Sequence, residues 1–279
     1  MFEEIFELNG NQNGNTSIIL AGVHGNEKPG IEALQKVLTN LEIKRGRVLI
    51  GYGNPTAMKT NQRFIQADLN RMFKPNDLLS DIDMESDEYA RAQFLKNYLN
   101  QAGALLDIHS SATPESRPFI ICEANAESII EYLPIDLVVS GFDQVQPGGT
   151  DYFMNSLGKI GICVECGYIG NPESSLIAEN SIIAFLKARG HLTNDLGRIE
   201  KSYIRMSKLY KTTSDCFTLS KPFADFEKLD QNQIIGKDGD KLVRADNEGV
   251  ILFARNHNKI GEEAFLLGTM YSPFPAYNQ

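Results

Sequence analysis

Three short apolar runs in this chain each stop at a side chain that can bind a metal or carry a proton. Residues 18–23 (Ile-Ile-Leu-Ala-Gly-Val) lead into His24, residues 104–108 (Ala-Leu-Leu-Asp-Ile) into His109, and residues 161–164 (Gly-Ile-Cys-Val) into Glu165. Near-continuous apolar runs suit strands buried on both faces, as in a sheet covered by helices. Strands of one sheet end near one another, so the pattern predicts that these three side chains gather at strand ends.

The segments between the runs fit that frame. Residues 28–40 read as a helix, with Pro29 in the first turn and Ile31, Leu34, Val37 and Leu38 on one face. Residues 86–102 read as another. Ser86 can cap it, Asp87 and Glu88 favour the positive end of its dipole, and Gly103 can end it. A third helix is expected over 173–190, and further strands over 47–51, 118–122 and 137–140. At the start, residues 3–8 alternate, Asn9-Gly10 and Asn13-Gly14 supply turns, and 17–22 follows as a strand, which reads as a hairpin. Strand–helix alternation to about residue 195 predicts an α/β sheet with helices on both faces. After residue 200, strand candidates at 209–213, 241–244 and 249–253 are separated by Gly, Asp and Asn turns, and no strong helix remains. The expected division is a catalytic α/β domain at 1–198 and a small β-rich domain at 199–279.

With 42% apolar residues in 279, the chain can fill a core without disulfides, and its four cysteines suggest no disulfide framework. A net charge of −9 and the lack of any Lys/Arg-rich block argue against nucleic acid as a partner. The acidic N-terminus lacks the features of a signal peptide, and no apolar run approaches a membrane span. A cytoplasmic protein acting on a small molecule is expected, with homo-oligomers left open.

Two imidazoles and a carboxylate can hold one zinc ion and leave a fourth position for water. His24 and Glu27, three apart after a strand, are candidate ligands, and His109 can supply the third. Gly22 and Gly25 let the backbone bend there. A lone His-x-x-Glu pair is also common by chance. His191 follows a helix terminator and suits the helix dipole, whereas His257 in Arg-Asn-His-Asn is expected at the surface. Glu165 ends an apolar strand, so its carboxylate needs a cleft, a charge or a metal. It is either a base acting on water or a structural partner of an arginine. Arg63, Asp68, Asn70 and Arg71 form a segment suited to carboxylate recognition, with a solvated loop as the alternative. Cys163 and Cys166, a Cys-x-x-Cys around Glu165, read as small buried residues.

His24-Gly25-Asn26-Glu27, Asn54-Pro55, Arg63-Phe64, Asp68-Leu69-Asn70-Arg71, Asp107-Ile108-His109 and Val164-Glu165-Cys166-Gly167 together resemble the succinylglutamate desuccinylase/aspartoacylase family, relatives of zinc carboxypeptidases. Residues 252–261 also look like the closing β-region of the desuccinylase branch. The resemblance implies a zinc carboxypeptidase-like mixed sheet flanked by helices, with a small C-terminal β-rich domain. It implies one zinc ion on His24, Glu27 and His109, Glu165 as general base and Arg63 on the scissile carbonyl. Asn70 and Arg71 would hold the α-carboxylate of an N-acyl amino acid, and Asp68 would orient a ligand. The arginine with which aspartoacylases grip the substrate side chain is Asn155 here, with Lys159 nearby, and their C-terminal tyrosine has no clear counterpart. Arg117 is the expected substitute anion clamp. Two other readings use the same residues: a carboxypeptidase or peptidoglycan-peptide hydrolase, and a metal-binding module without activity.

Overall fold

The computed structural model describes residues 5–193 and 196–272. Among these residues, fourteen strands and eight α-helices follow in chain order. The first half holds β1 (Phe6–Asn9), β2 (Gln12–Ala21), α1 (Lys28–Leu38), β3 (Arg45–Tyr52), α2 (Pro55–Thr60), α3 (Asp81–Met84), α4 (Asp87–Leu99), β4 (Ala104–Ser111), β5 (Phe119–Cys122), α5 (Glu127–Ile130) and β6 (Leu137–Ser140). Then come α6 (Phe142–Val145), α7 (Thr150–Ser156), β7 (Ile160–Tyr168), α8 (Glu173–Ala188), β8 (Ser202–Lys211), β9 (Phe217–Leu219), β10 (Glu227–Leu229), β11 (Ile234–Asp238), β12 (Lys241–Arg244), β13 (Gly249–Leu252) and β14 (Glu263–Tyr271).

Eleven strands form one mixed sheet in the order β1-β3-β2-β4-β7-β5-β6-β8-β14-β13-β10. Its centre, β3-β2-β4-β7, is parallel. Period-2 alternation sends Ile19, Ala21, Leu106, Ile108, Ile162 and Val164 to the face covered by α1 and α8. Ile18, Leu20 and Leu105 go to the other face, against Ala92, Leu95 and Leu99 of α4. Helices therefore cover both faces, as the near-continuous apolar runs require. No helix among the described residues is long and apolar enough to cross a membrane.

The opening hairpin does not form. β1 pairs antiparallel with β3, Phe6 opposite Ile50, while β2 lies inside the sheet between β3 and β4. Ile18 to Ala21 are fully buried and need a neighbour on each side, whereas β1 is largely exposed and suits the edge. Asn13-Gly14 falls within β2, where the pairing with β3 shifts register between Gln12 and Thr16. Residues 3 and 4 of the alternating run lie outside the described residues. Ser86 caps α4 as expected, its Oγ accepting from Tyr89 N at 3.1 Å. The helix ends at Leu99 with Asn100 as its cap, not at Gly103, whose N–H is taken by Thr16 O at 2.9 Å.

Past residue 199 the chain extends the same sheet. β8 runs parallel to β6 and antiparallel to β14, and β13 and β10 follow. β9, β11 and β12 make a separate small antiparallel sheet. The hydrogen-bonded layer thus continues across the expected division at 198/199.

Candidate metal centre

The ends of β2, β4 and β7 converge on one buried cluster. β2 stops at Ala21, Gly22 turns the chain with φ +68°, and a tight loop delivers His24 and Glu27 before α1 begins. A Cβ on Gly25 would lie 2.2 Å from the Ala57 carbonyl carbon, so only glycine lets this loop approach α2. On β4, Asp107 and His109 are two residues apart and share a face. On β7, Glu165 is the register partner of His109.

His24, Glu27 and His109 are buried, and a donor atom from each lies within 4.8 Å of the others. His24 Nδ1 is 2.7 Å from Glu27 Oε1, His109 Nδ1 is 3.1 Å from Glu27 Oε2, and the two Nδ1 atoms are 3.2 Å apart. The outer nitrogens face other carboxylates: His24 Nε2 is 3.0 Å from Asp68 Oδ1, and His109 Nε2 is 3.2 Å from Asp107 Oδ2. A proton on each Nε2 satisfies those contacts and leaves both inner Nδ1 lone pairs aimed at each other and at Glu27. With those tautomers the inner nitrogens have no donor between them, a place that a divalent cation fits, as does a proton on His109 when no metal is bound. A carboxylate behind each ligand imidazole is the usual support of such a metal site. The donor set fits zinc.

The charges are strongly mutual. Burial favours the neutral forms, yet Asp107 and Glu27 outweigh it and push His109 well above its ordinary range. The two imidazoles likewise overcome burial to hold Glu27 below the usual carboxylate range. Glu165 goes the other way, because burial and the Glu27 carboxylate push it up to about 8. Among the described residues its Oε2 has no hydrogen-bond partner.

A cavity of about 470 Å³ opens over this cluster, a size typical of small-molecule sites. Arg63 and Asn70 line it. Arg63 lies 3.4 Å from Glu27 Oε1 and 3.3 Å from Asp68 Oδ2. Its loop hangs on Glu88 of α4, whose buried carboxylate accepts from Asn54 Nδ2 (3.2 Å) and from the backbone N–H groups of Ile65 (2.8 Å), Gln66 (3.3 Å) and Ala67 (3.3 Å). Asp68 Oδ1 also accepts from Asn70 N at 2.9 Å, which shapes the 3-10 turn carrying Asn70 and Arg71. Asn70 Oδ1 is buried without a partner among the described residues. Arg71 reaches the cavity already paired, 2.7 Å from Glu263 Oε2.

Arg117 does not join the group. β5 and β6 run parallel with Ile120 beside Val138, which carries Arg117 to Asp136 at the foot of β6. There it donates to both carboxylate oxygens, at 2.7 and 2.9 Å, on the exposed surface. Asn155 donates to Asp143 Oδ2 at 3.0 Å, and Lys159 donates to the Asn100 carbonyl at 2.7 Å, so neither offers an anion clamp. His191 is fully buried between Ser17 Oγ (2.8 Å) and the Arg45 carbonyl (2.9 Å), far from a simple helix-end role. His257 is not a surface residue but lines the cavity, its side chain 19% exposed. Cys163 and Cys166 are buried in different clusters on opposite faces of β7, so they do not meet. Glu88, Asp107, Arg255 and Glu263 were not singled out as site residues from the sequence. Asp107 has a local signal, a carboxylate inside an apolar strand two residues before a histidine. The other three act across long sequence separations.

A mixed α/β sheet with a buried His–Glu–His group at its strand ends, able to hold a divalent cation, defines the class of protein. The chain belongs to the succinylglutamate desuccinylase/aspartoacylase family, whose catalytic-domain model matches residues 13–187. It is 38% identical over 104 residues to the succinylglutamate desuccinylase of Photorhabdus laumondii, a match covering 36% of this chain and 31% of that one. Against the Pseudomonas putida succinylglutamate desuccinylase it is 36% identical over 103 residues, 34% of this chain and 30% of that one. The matched stretch thus spans about a third of the length of these curated relatives. The fold is similar to the crystal structure of succinylglutamate desuccinylase from Vibrio cholerae, with TM-score 0.81 at 20% identity over 96% of this chain and 87% of that one. It is also similar to the product-bound ectoine utilization protein EutE (DoeB) of Ruegeria pomeroyi, with TM-score 0.71 at 18% identity over 95% and 88%.

Proposed function

We propose that the chain is a zinc-dependent amidohydrolase that removes the acyl group from a small, acidic N-acyl amino acid such as N-succinylglutamate. The observation that carries the reading is Glu165. It is a buried carboxylate with one oxygen unpartnered, beside His109 in register, facing the same cavity as the His–Glu–His group and Arg63. Family membership supports the same chemistry.

In this reading His24, Glu27 and His109 hold the metal, and Asp68 and Asp107 keep the outer imidazole protons in place. Zinc, when bound, lowers the pKa of water toward about 7 and polarises an acyl carbonyl. Glu165 accepts the proton of the attacking water. The same carboxyl can then return the proton to the leaving amine. Arg63 donates to the oxygen on which charge develops. Asn70 and Arg71 hold the α-carboxylate of the amino acid, with Glu263 sharing or yielding the Arg71 guanidinium. The products are a carboxylic acid and a free amino acid. Phe253, Arg255, Ile260 and Glu263 from the C-terminal region help wall the cavity, which favours a small substrate over a long peptide.

The test is a side-by-side assay of metal-replete enzyme on N-succinylglutamate, N-acetylaspartate and a C-terminal dipeptide, with zinc counted per chain. Turnover of the acyl amino acids with one zinc per chain is expected. Stoichiometric zinc without turnover of any acyl amino acid would overturn the reading, and preference for the dipeptide would replace it with a carboxypeptidase.

A further inference from the structure

Four Arg and Lys side chains line the cavity: Arg63, Arg71, Lys211 and Arg255. Three of them have carboxylates of the chain within 4.0 Å: Arg63 has Glu27 and Asp68, and Arg71 and Lys211 share Glu263. Among the described residues the Arg255 guanidinium has neither an ion pair nor a hydrogen bond. It lies on the connection between β13 and β14, where its backbone N–H is held by Ala264 O at 2.9 Å. Its acidic neighbour Asp225 is already engaged, with Oδ1 accepting from Phe253 N (3.0 Å) and Oδ2 from Ser111 Oγ (3.1 Å). Burial, and then the charge of Arg63 on the same cavity, disfavour the charged form of Arg255, and the carboxylates of Asp225, Glu27 and Glu165 offset this only in part. Two neighbouring cations in a cleft, one without a counter-ion, make a ready position for an anion.

We propose that Arg255 grips a carboxylate at the far end of the acyl group, and so selects dicarboxylic acyl chains such as succinyl over acetyl. This rests on the deacylase reading. The amine side of the substrate already has Asn70 and Arg71, while Arg117 and Lys159 are spent elsewhere. In the proposed pose the carbonyl oxygen meets Arg63 and the carboxylate two methylenes beyond it meets Arg255, two residues that line the same cavity. Arg255 supplies the planar fork that suits a carboxylate, which a lysine would not match.

The experiment is calorimetric titration of zinc-loaded protein with succinate and with acetate, beside kcat/KM for N-succinylglutamate and N-acetylglutamate. Wild type should bind succinate more tightly than acetate. Arg255→Met should weaken succinate roughly 10- to 100-fold, the usual worth of a hydrogen-bonded charge. It should lower kcat/KM for the succinyl substrate by a similar factor, and acetate and the acetyl substrate should lose no more than about threefold. Arg255→Gln, a second neutral variant, should give the same pattern, and Arg255→Lys should recover part of the loss. An unchanged succinate-to-acetate ratio, equal losses on both ligands, or a wild type without preference for succinate would each overturn the clamp. If neither amide is hydrolysed but the neutral variants lose succinate binding, the deacylase reading fails and the clamp stands.

Discussion

The two walls of the cavity are built on different principles. One consists of strand ends and the turns that follow them: His24, Glu27, His109 and Glu165, all buried and held by the register of three parallel strands. The other comes from more than 80 residues further along the chain, where the β13–β14 connection contributes Phe253, Arg255, His257 and an Ile260 that is 70% exposed. The first wall has a sheet behind it and fixes side chains closely enough for chemistry. The second is a loop over that sheet, held by an isolated bridge between Phe217 and His257 and by hydrogen bonds that tie Lys259, Gly261 and Glu262 to Thr212. On the proposed function, the first wall carries the chemistry and the second the recognition of the acyl chain, and changes to one should leave the other's task intact.

The sharpest way to break that separation is Glu165→Gln. The amide keeps the shape but cannot take a proton from water. Turnover should fall about 10²- to 10⁴-fold, the usual worth of a general base, while zinc stays at one per chain by elemental analysis. Wild-type turnover would remove Glu165 from its role. Loss of zinc along with turnover would mean that the residue supports the ligands rather than the reaction.

The first wall was legible because local pattern carries it. An apolar run reports a buried strand, and the residue that ends it reports what faces the cleft, as with His24, His109 and Glu165. The second wall was not legible, because partner choice is a long-range property. Nothing near Arg117 says that parallel β5 and β6 will carry it to Asp136. Nothing in Arg-Asn-His-Asn says that the loop will fold back over a cavity. The N-terminal hairpin failed for the same reason: alternation identifies a strand but not its neighbour, and the fully buried β2 required two. Glu88 looked like a helix-start residue favouring the dipole. Its carboxylate instead holds a loop about twenty residues upstream, and only the folded chain shows that contact.

The turn after β8, whose Thr212 is bonded to Lys259, Gly261 and Glu262 of the second wall, has its own anchor, and removing it should be the next largest effect. Asp238 closes β11 and accepts from Tyr210 Oη (2.7 Å), Thr213 N (2.7 Å), Thr213 Oγ1 (2.8 Å) and Ser214 N (3.0 Å). Burial opposes its charge, but the hydrogen bonds from Ser214, Thr213 and Tyr210 win and hold it below the ordinary aspartate value of 3.8. Asp238→Asn turns an acceptor into a donor facing donors and should cost about 2–3 kcal/mol. The sign follows from a depressed pKa: the stabilisation is present above 3.8 and is lost as pH falls through the lower folded value. Melting curves of both proteins should therefore differ at pH 7 and converge in strong acid. A difference that does not depend on pH would mean that packing, not charge, holds this corner.

Asp107→Asn probes the support beneath the first wall. Asp107 is fully buried, faces His109 Nε2 and accepts from Thr150 Oγ1. Replacing such a partner typically weakens a metal about 10- to 100-fold, readable by competition with a chelator. The succinate-to-acetate ratio assigned to Arg255 should not move. A shift in that ratio would show that the two walls are coupled through the cluster.

The smallest expected effect concerns Asp143, a cavity residue carried by α6 rather than by the strand ends. Burial, with Asp151 and Glu123 adding to it, pushes its carboxyl up to about 6, and the hydrogen bond from Asn155 only partly offsets this. A raised acid pKa means that the folded state favours the protonated form. That contribution is full below 3.8 and is lost as pH rises through about 6. Asp143→Asn removes the charge and keeps an oxygen for Asn155. The variant should be more stable than wild type at pH 7–8, on the order of 1 kcal/mol once solvent screening of a partly exposed group is allowed for. The gain should vanish below about pH 4, where the aspartate is itself neutral. Lower stability of the variant at pH 8 would mean that the carboxylate earns its place through Asn155, and that this side of the cavity is held by charge as firmly as the strand-end side.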